Sequence, residues 1–135
     1  MARIRTIKPE FWGDEKLAPC SPITRLVFLG LISMADDAGR VVDNVKVIDA
    51  FVFPETSETC RGSIDELSAM GRIRRGKTAS GQRIIEIANW HAHQKIEKPN
   101  LRAAFPEIVE EQGVSGIPRN VGETSGKERG NVGEE

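Results

Sequence analysis

Arg72, Arg74, Arg75 and Lys77 set four cations within six residues, and Arg83 follows beyond a Gly-containing turn. Guanidinium and ammonium groups at that density suit phosphate neutralisation, because each such contact releases a counterion from a nucleic-acid backbone. The same charges on a hairpin edge would also block strand-to-strand aggregation. Four in six residues exceed what edge protection needs. The turn residues Lys77, Thr78 and Ser80 are short or flexible enough to approach a backbone closely. Lys95, Lys98 and Arg102 come after the second strand and either extend this basic surface or belong to a solvated linker.

Other chemistry is thin. His91 and His93 lie two apart in "WHAH", on one face if the strand continues, but a zinc site wants three or four ligands and no third is signalled. They read as polar residues closing the strand. Ser21, Ser57 and Ser80 lie in no nucleophile motif, and no phosphate-binding glycine loop occurs. Cys20 and Cys60 fit no metal spacing and read as free thiols. Phe11, Trp12 and Trp90 read as packing residues, and the acid pairs Asp36–Asp37 and Glu110–Glu111 as turn and tail residues. The expectation is a non-enzyme with no cofactor and no metal.

The elements that must carry these residues are well punctuated. Ser21-Pro22 is an N-cap followed by proline at the first helical position, and Ile23, Leu26, Val27, Leu31 and Met34 continue at helical spacing. A first helix over 22–35 follows, stopped by "ADDAGR", where Gly39 can take positive φ. Arg40 to Val42 is a short extended piece. Asp43 or Asn44 caps a second helix with Val45, Ile48 and Val52 on one face, and Pro54 ends it at Phe53. Ser63-Ile64-Asp65-Glu66 reads as a capping box opening a third helix with Ile64, Leu67 and Met70 buried and Gly71 as its C-cap. "RIRRGK", the turn "TASG" and "RIIEIAN" then alternate as a β-hairpin, with Ile73, Ile85 and Ile87 inward and Arg72, Arg74 and Gly76 facing away.

The 135 residues carry a formal charge of −1, but unevenly. Residues 1–105 hold 16 Lys/Arg against 13 Asp/Glu, and residues 106–135 hold 3 against 7. The last 30 residues are rich in Gly and Glu without a periodic apolar face, so 106–135 is read as an acidic tail, disordered from about Gly113, with a short helical turn in "FPEIVEEQ". The folded domain is then 1–105. No apolar run approaches the roughly 18 residues of a membrane span, and the N-terminus has no signal-peptide core. A soluble protein of a reducing compartment is expected.

Helix, short strand, helix, helix, strand, turn, strand is the order of an α+β winged helix, in which the second and third helices form a helix-turn-helix and the hairpin is the wing. On that reading Arg72, Arg74, Arg75, Lys77, Thr78 and Arg83 line the wing, where they can hold phosphates. The third helix exposes Asp65, Glu66, Ser68 and Ala69, with Arg61 and Arg72 at its ends. Ser68 and Thr59 are candidate base contacts, and Asp or Glu can accept from cytosine, but two carboxylates facing a groove are repelled by phosphate. A protein-binding role for the domain therefore stays open.

The ordered set "IRTIKPEFW", "SPITRLVFLGL", "ADDAGR", "FPE", "IDELSAMGRI" and "IANWHAHQKIEKPN" resembles phage and prophage replication proteins of the replisome-organiser type. The resemblance spans residues 1 to about 105. It implies an N-terminal winged-helix domain that binds double-stranded DNA at an origin in the bacterial cytoplasm and helps deliver the host helicase or its loader. Family members often carry a longer C-terminal region for that last task. Two alternatives stand beside it. A phage transcription regulator of the same fold needs a dimer and half-sites about one helical turn apart, and a protein-interaction module never touches DNA.

Overall fold

The computed structural model describes residues 3–112. Of the expected tail, 113–135 lies outside them. The described residues form an α+β domain of four helices and one four-stranded antiparallel sheet. A 3-10 turn at Pro9–Gly13 leads to α1 (Pro22–Met34), β1 (Arg40–Val42), α2 (Val45–Val52) and α3 (Arg61–Ala69). The hairpin strands β2 (Ile73–Lys77) and β3 (Arg83–Ile87) follow, then a single helical turn α4 (Trp90–His93) and a two-residue strand β4 (Glu110–Glu111). The strand order is β1-β3-β2-β4.

Local chemistry explains most boundaries. Ser21 Oγ accepts the Thr24 N–H at 3.2 Å to start α1, and Asn44 Oδ1 accepts from Lys46 and Val47 to start α2. Asn44, rather than Asp43, is therefore the cap. The buried stripe of α1 is Thr24, Val27, Phe28, Leu31 and Ile32, rotated from the expected one, so that Leu26 is exposed. Ile48, Ile64, Leu67, Ile73, Ile85 and Ile87 complete the core as the spacing predicts, joined by Val41 and Trp90.

The capping box does not form. Helix α3 begins three residues earlier than that cap would place it, at Arg61, and Ser63 lies inside it. Ser63 Oγ instead meets Thr24 Oγ1 at 3.0 Å, and Thr24 Oγ1 donates to Glu66 Oε1 at 2.7 Å, so the pair ties α3 to α1. The start of α3 is held from α2: Asp49 accepts the Cys60 N–H at 2.7 Å and the Thr59 hydroxyl at 2.8 Å, and Thr59 Oγ1 accepts the Arg61 N–H. Cys20 and Cys60 are free and buried. Burial, with Asp49 beside it, pushes the Cys60 thiol up to about 12, so it stays protonated and inert.

The turn after α1 is more than a turn. Asp36 and Asp37 are buried, and segments from before α1 and from after the hairpin converge on them. Arg5 Nη2 approaches Asp37 Oδ1 at 3.0 Å, Arg3 bonds Asp37 Oδ2, and the Asn100 N–H donates to Oδ2 at 2.8 Å. Asp36 accepts the N–H groups of Ala38, Arg40 and Phe105. The Trp90 indole N–H donates to the Asp37 carbonyl at 3.0 Å, and the Arg5 guanidinium lies 5.1 Å from the Trp90 ring centre. Gly39 takes φ +82°, and a Cβ there would fall 2.6 Å from Trp90 Cγ. Backbone strain and overpacking then add, so Gly39→Ala is expected to cost about 3 kcal/mol, read as a lowered urea midpoint with unchanged slope.

Two expectations for the chain after the hairpin change. "WHAH" is the helical turn α4, entered through Asn89 at φ +55°, so His91 and His93 do not share a strand face, and both are exposed. The segment "FPEIVEEQ" is not helical. It runs beside the hairpin and pairs as β4 with β2, in register Gly76↔Glu111 and Lys77↔Glu110. Residues 106–112 therefore belong with the domain, because β2 offers an open edge and Gly76 leaves room for Ile108.

Candidate nucleic-acid interface

The expected hairpin forms, in the register Ile73↔Ile87, Arg75↔Ile85 and Lys77↔Arg83. Paired residues project to the same side, which sorts its charges. Ile73, Arg75, Lys77, Arg83, Ile85 and Ile87 share the face that packs on the helices. Arg74, Gly76, Ile84 and Glu86 share the other.

Arg72, Arg74 and Arg75 each meet a carboxylate. Arg72, entering β2, holds both Asp14 oxygens at 2.6 and 2.7 Å. Arg74 bonds Glu86 and, at 3.2 Å, Glu111. Across the sheet Arg40 holds the other Glu86 oxygen at 3.1 Å, so Glu86 joins β1 to β2. Arg75 reaches down from β2 to Asp43 at 2.8 and 3.2 Å and to Asp65 of α3 at 2.9 Å. Burial pulls the Arg75 guanidinium down, but Asp43 and Asp65 outweigh it and raise it above its ordinary value. Burial likewise raises Asp14, yet the N–H groups of Leu17 and Lys16 and the Arg72 guanidinium hold it below the usual carboxylate range. These arginines staple α3, β1 and the N-terminal region to the sheet.

What remains for a ligand is a smaller set. Lys77 and Arg83 are exposed, sit directly opposite each other at the hairpin tip, and make no ion pair within 4 Å among the described residues. Arg61 is exposed in the first turn of α3 and is likewise free of ion pairs there. Lys46, which the sequence pattern does not single out, is exposed in the first turn of α2. Thr78 does not face solvent: it is 3% exposed, pairs with Ser80 at 3.0 Å and accepts the Gln82 N–H, holding the turn closed. Ser68 is half-buried, and its carbonyl accepts the Gly71 N–H. Lys95 and Lys98 are exposed along a groove of about 290 Å³ shared with Arg3 to Thr6. They belong to the N-terminal side of the domain, and no hairpin residue lines that groove.

The internal carboxylates escape a reading of the sequence because no local pattern announces them. Asp43 and Glu111 lie 32 and 37 residues from the arginines they hold, and Asp14 lies 58 away. Among the described residues no cluster of three His, Cys, Asp or Glu side chains is arranged to hold a metal. No helix there is long and apolar enough to cross a membrane. Comparison with protein-family models, with curated proteins and with solved structures returned no match to this chain.

Proposed function

We propose that the domain is a winged helix that binds double-stranded DNA, with α2 and α3 as its helix-turn-helix and β2–β3 as its wing. The observation that carries the reading is the Lys77–Arg83 pair. Like charges directly opposite on adjacent strands are destabilising, yet these two stand together at the tip with no ion pair within 4 Å among the described residues. Glu110 of β4 is the one carboxylate in their row, while Arg72, Arg74 and Arg75 are each held by at least one carboxylate. An anionic backbone supplies the missing partner. Arg61 and Lys46, at the starts of α3 and α2, are suited to hold flanking phosphates. The Asp49–Thr59–Cys60 bonds fix α3 against α2, as a recognition helix requires.

The resemblance in residues 1–105 supplies the setting: a phage or prophage replication protein acting at an origin in the bacterial cytoplasm, with the host helicase or its loader as partner. Base readout by α3 is modest on this reading. Asp65 is tied to Arg75 and Glu66 to Thr24, which leaves Arg61 and Ser68 as its polar candidates. Binding is then driven mainly by phosphate contacts.

The test is fluorescence anisotropy of a labelled random duplex across a salt series. Lys77→Ala with Arg83→Ala is expected to weaken binding to all sequences alike and to flatten the salt slope by about two, one for each phosphate no longer neutralised. Thermal stability should stay within about 0.5 kcal/mol of the parent, because both side chains are exposed. A second reading has its own observation: the internal neutralisation of Arg72, Arg74 and Arg75 suits a module that holds another protein. Absence of DNA binding even at low salt would decide for it.

A further inference from the structure

We propose that residues 106–112 form an acidic strap that lies along β2 beside the hairpin's phosphate-binding cations and leaves β2 when DNA binds. The inference rests on the DNA-binding reading above and concerns the regulation of that same surface.

Register places the strap's charges against the hairpin. With Lys77↔Glu110 and Lys77↔Arg83 as partners, Glu110, Lys77 and Arg83 form one cross-strand row on one face. Glu111, opposite Gly76, falls on the other face, where its carboxylate takes the Arg74 Nε–H at 3.2 Å. Glu107 adds a third carboxylate, 4.0 Å from Arg40. Residues 106–112 carry no cation. The strap thus lays carboxylates beside the cations that a DNA backbone would seek, and its own charge repels that backbone.

Its hold is light at one end and firm at the other. Beyond Pro106 the strap is fastened by its two-residue ladder with Gly76 and Lys77, flanked by the Val109 N–H to the Lys77 carbonyl at 2.8 Å and the Gln112 N–H to the Arg75 carbonyl at 2.7 Å. The Glu111–Arg74 pair is half-exposed on both sides, a setting in which ion pairs contribute little. Val109 is 66% exposed, and Ile108 alone is partly covered, over Gly76. Phe105, by contrast, is fixed through its N–H to Asp36 at 2.7 Å and its carbonyl to Arg40 Nη1 at 2.8 Å. The strap can therefore peel from β2 as far as Pro106 while Phe105 stays docked.

Two variants of the full chain disable the strap by unrelated means, one through its charge and one through its seat on β2. The triple change Glu107→Gln, Glu110→Gln, Glu111→Gln removes its charge. Gly76→Ala adds a Cβ that would lie 2.5 Å from Ile108 Cγ2 and 2.6 Å from the Glu110 carbonyl oxygen, pushing the strap off without altering any charge. Both are expected to bind a labelled random duplex roughly 10-fold more tightly than the parent at equal salt, the triple variant because its strap no longer repels the backbone and Gly76→Ala because affinity rises with the fraction of open molecules. Faster amide hydrogen exchange at Val109 and Gln112 reports the release. Equal affinity in all three proteins, with exchange raised in Gly76→Ala, overturns the strap's role and leaves the DNA-binding reading intact. A gain in the triple variant that Gly76→Ala does not share, although its strap is released, reduces the effect to bulk charge and also overturns it. Weaker binding by a released variant would make the strap part of the interface, which overturns it too. No binding by any of the three at low salt removes both readings together.

Discussion

Asp37→Ala is expected to destabilise the domain by about 3–5 kcal/mol, the range found when one partner of a buried ion pair is removed. The Arg5 side chain is 4% exposed and would keep its charge without a carboxylate to answer it. Arg3 and the Asn100 N–H would lose their acceptor as well, so the segments around residues 3–5 and 100 would be loosened at one point. Against a typical total of about 5–15 kcal/mol, that is a large share. At roughly 4 °C or more per kcal/mol, the melting temperature should fall by more than about 10 °C. Asp37→Asn keeps the shape and an acceptor oxygen, so its loss should be smaller. A change below about 1 kcal/mol in the alanine variant would show that these two segments hold without the hub.

The same carboxylate sets an acid limit. The Asn100 N–H holds Asp37 below the usual carboxylate range, and Arg5 and Arg3 act in the same direction against the opposing effect of burial. A folded value below the unfolded one of about 3.9 means that the deprotonated form favours folding. Its contribution is complete above about pH 4 and disappears as pH falls through the folded value. Asp14 and Asp49 are depressed in the same way, so the three losses run together on acidification. Urea midpoints at pH 7 and pH 3 should differ less in Asp37→Asn than in the parent, because one of the three titrating groups is gone.

What could be read ahead of the structure was whatever is decided within a few residues. Ser21-Pro22, Gly39 and Gly71 each act on their own turn, and the structure has Ser21 as a cap and both glycines at positive φ. Alternation likewise set the hairpin and its inward isoleucines. Ser63 and Glu66 show the limit. The spacing of a capping box is also that of two residues on one helix face, and Thr24, 39 residues before Ser63, takes them instead. Residues 106–112 show a second limit. Their composition reads as tail, and only the open edge of β2 with the space over Gly76 makes them a strand. Asp36 and Asp37 show a third, because a turn signal carries no hint that Arg3, Arg5, Asn100 and Phe105 will meet there. For the candidate interface, the clustering of cations was legible and their partners were not.

Arg75 separates these two kinds of information most sharply. It lies in the middle of the basic run, so charge density alone assigns it to phosphate. In the structure its side chain is 11% exposed and sits against Asp43, which is 2% exposed, with Asp65 on its other nitrogen. Arg75→Ala would leave Asp43 buried without a counter-charge, and β2 would lose its links to the α2 cap region and to α3. A loss of about 3–5 kcal/mol is expected, with an intermediate loss for Arg75→Lys, which keeps the charge but not the two-pronged geometry. Measured well below its melting temperature, Arg75→Ala should retain the parent's salt slope for duplex binding, because the ion pairs it removes are internal. A residue that holds phosphate has the opposite signature, a slope flatter by about one with little change in melting temperature. Observing that second pattern would place Arg75 on the DNA and return the basic run to the role its density suggests. The first pattern leaves Lys77 and Arg83 as the hairpin's working charges, which is why the variants that probe binding must spare Arg75.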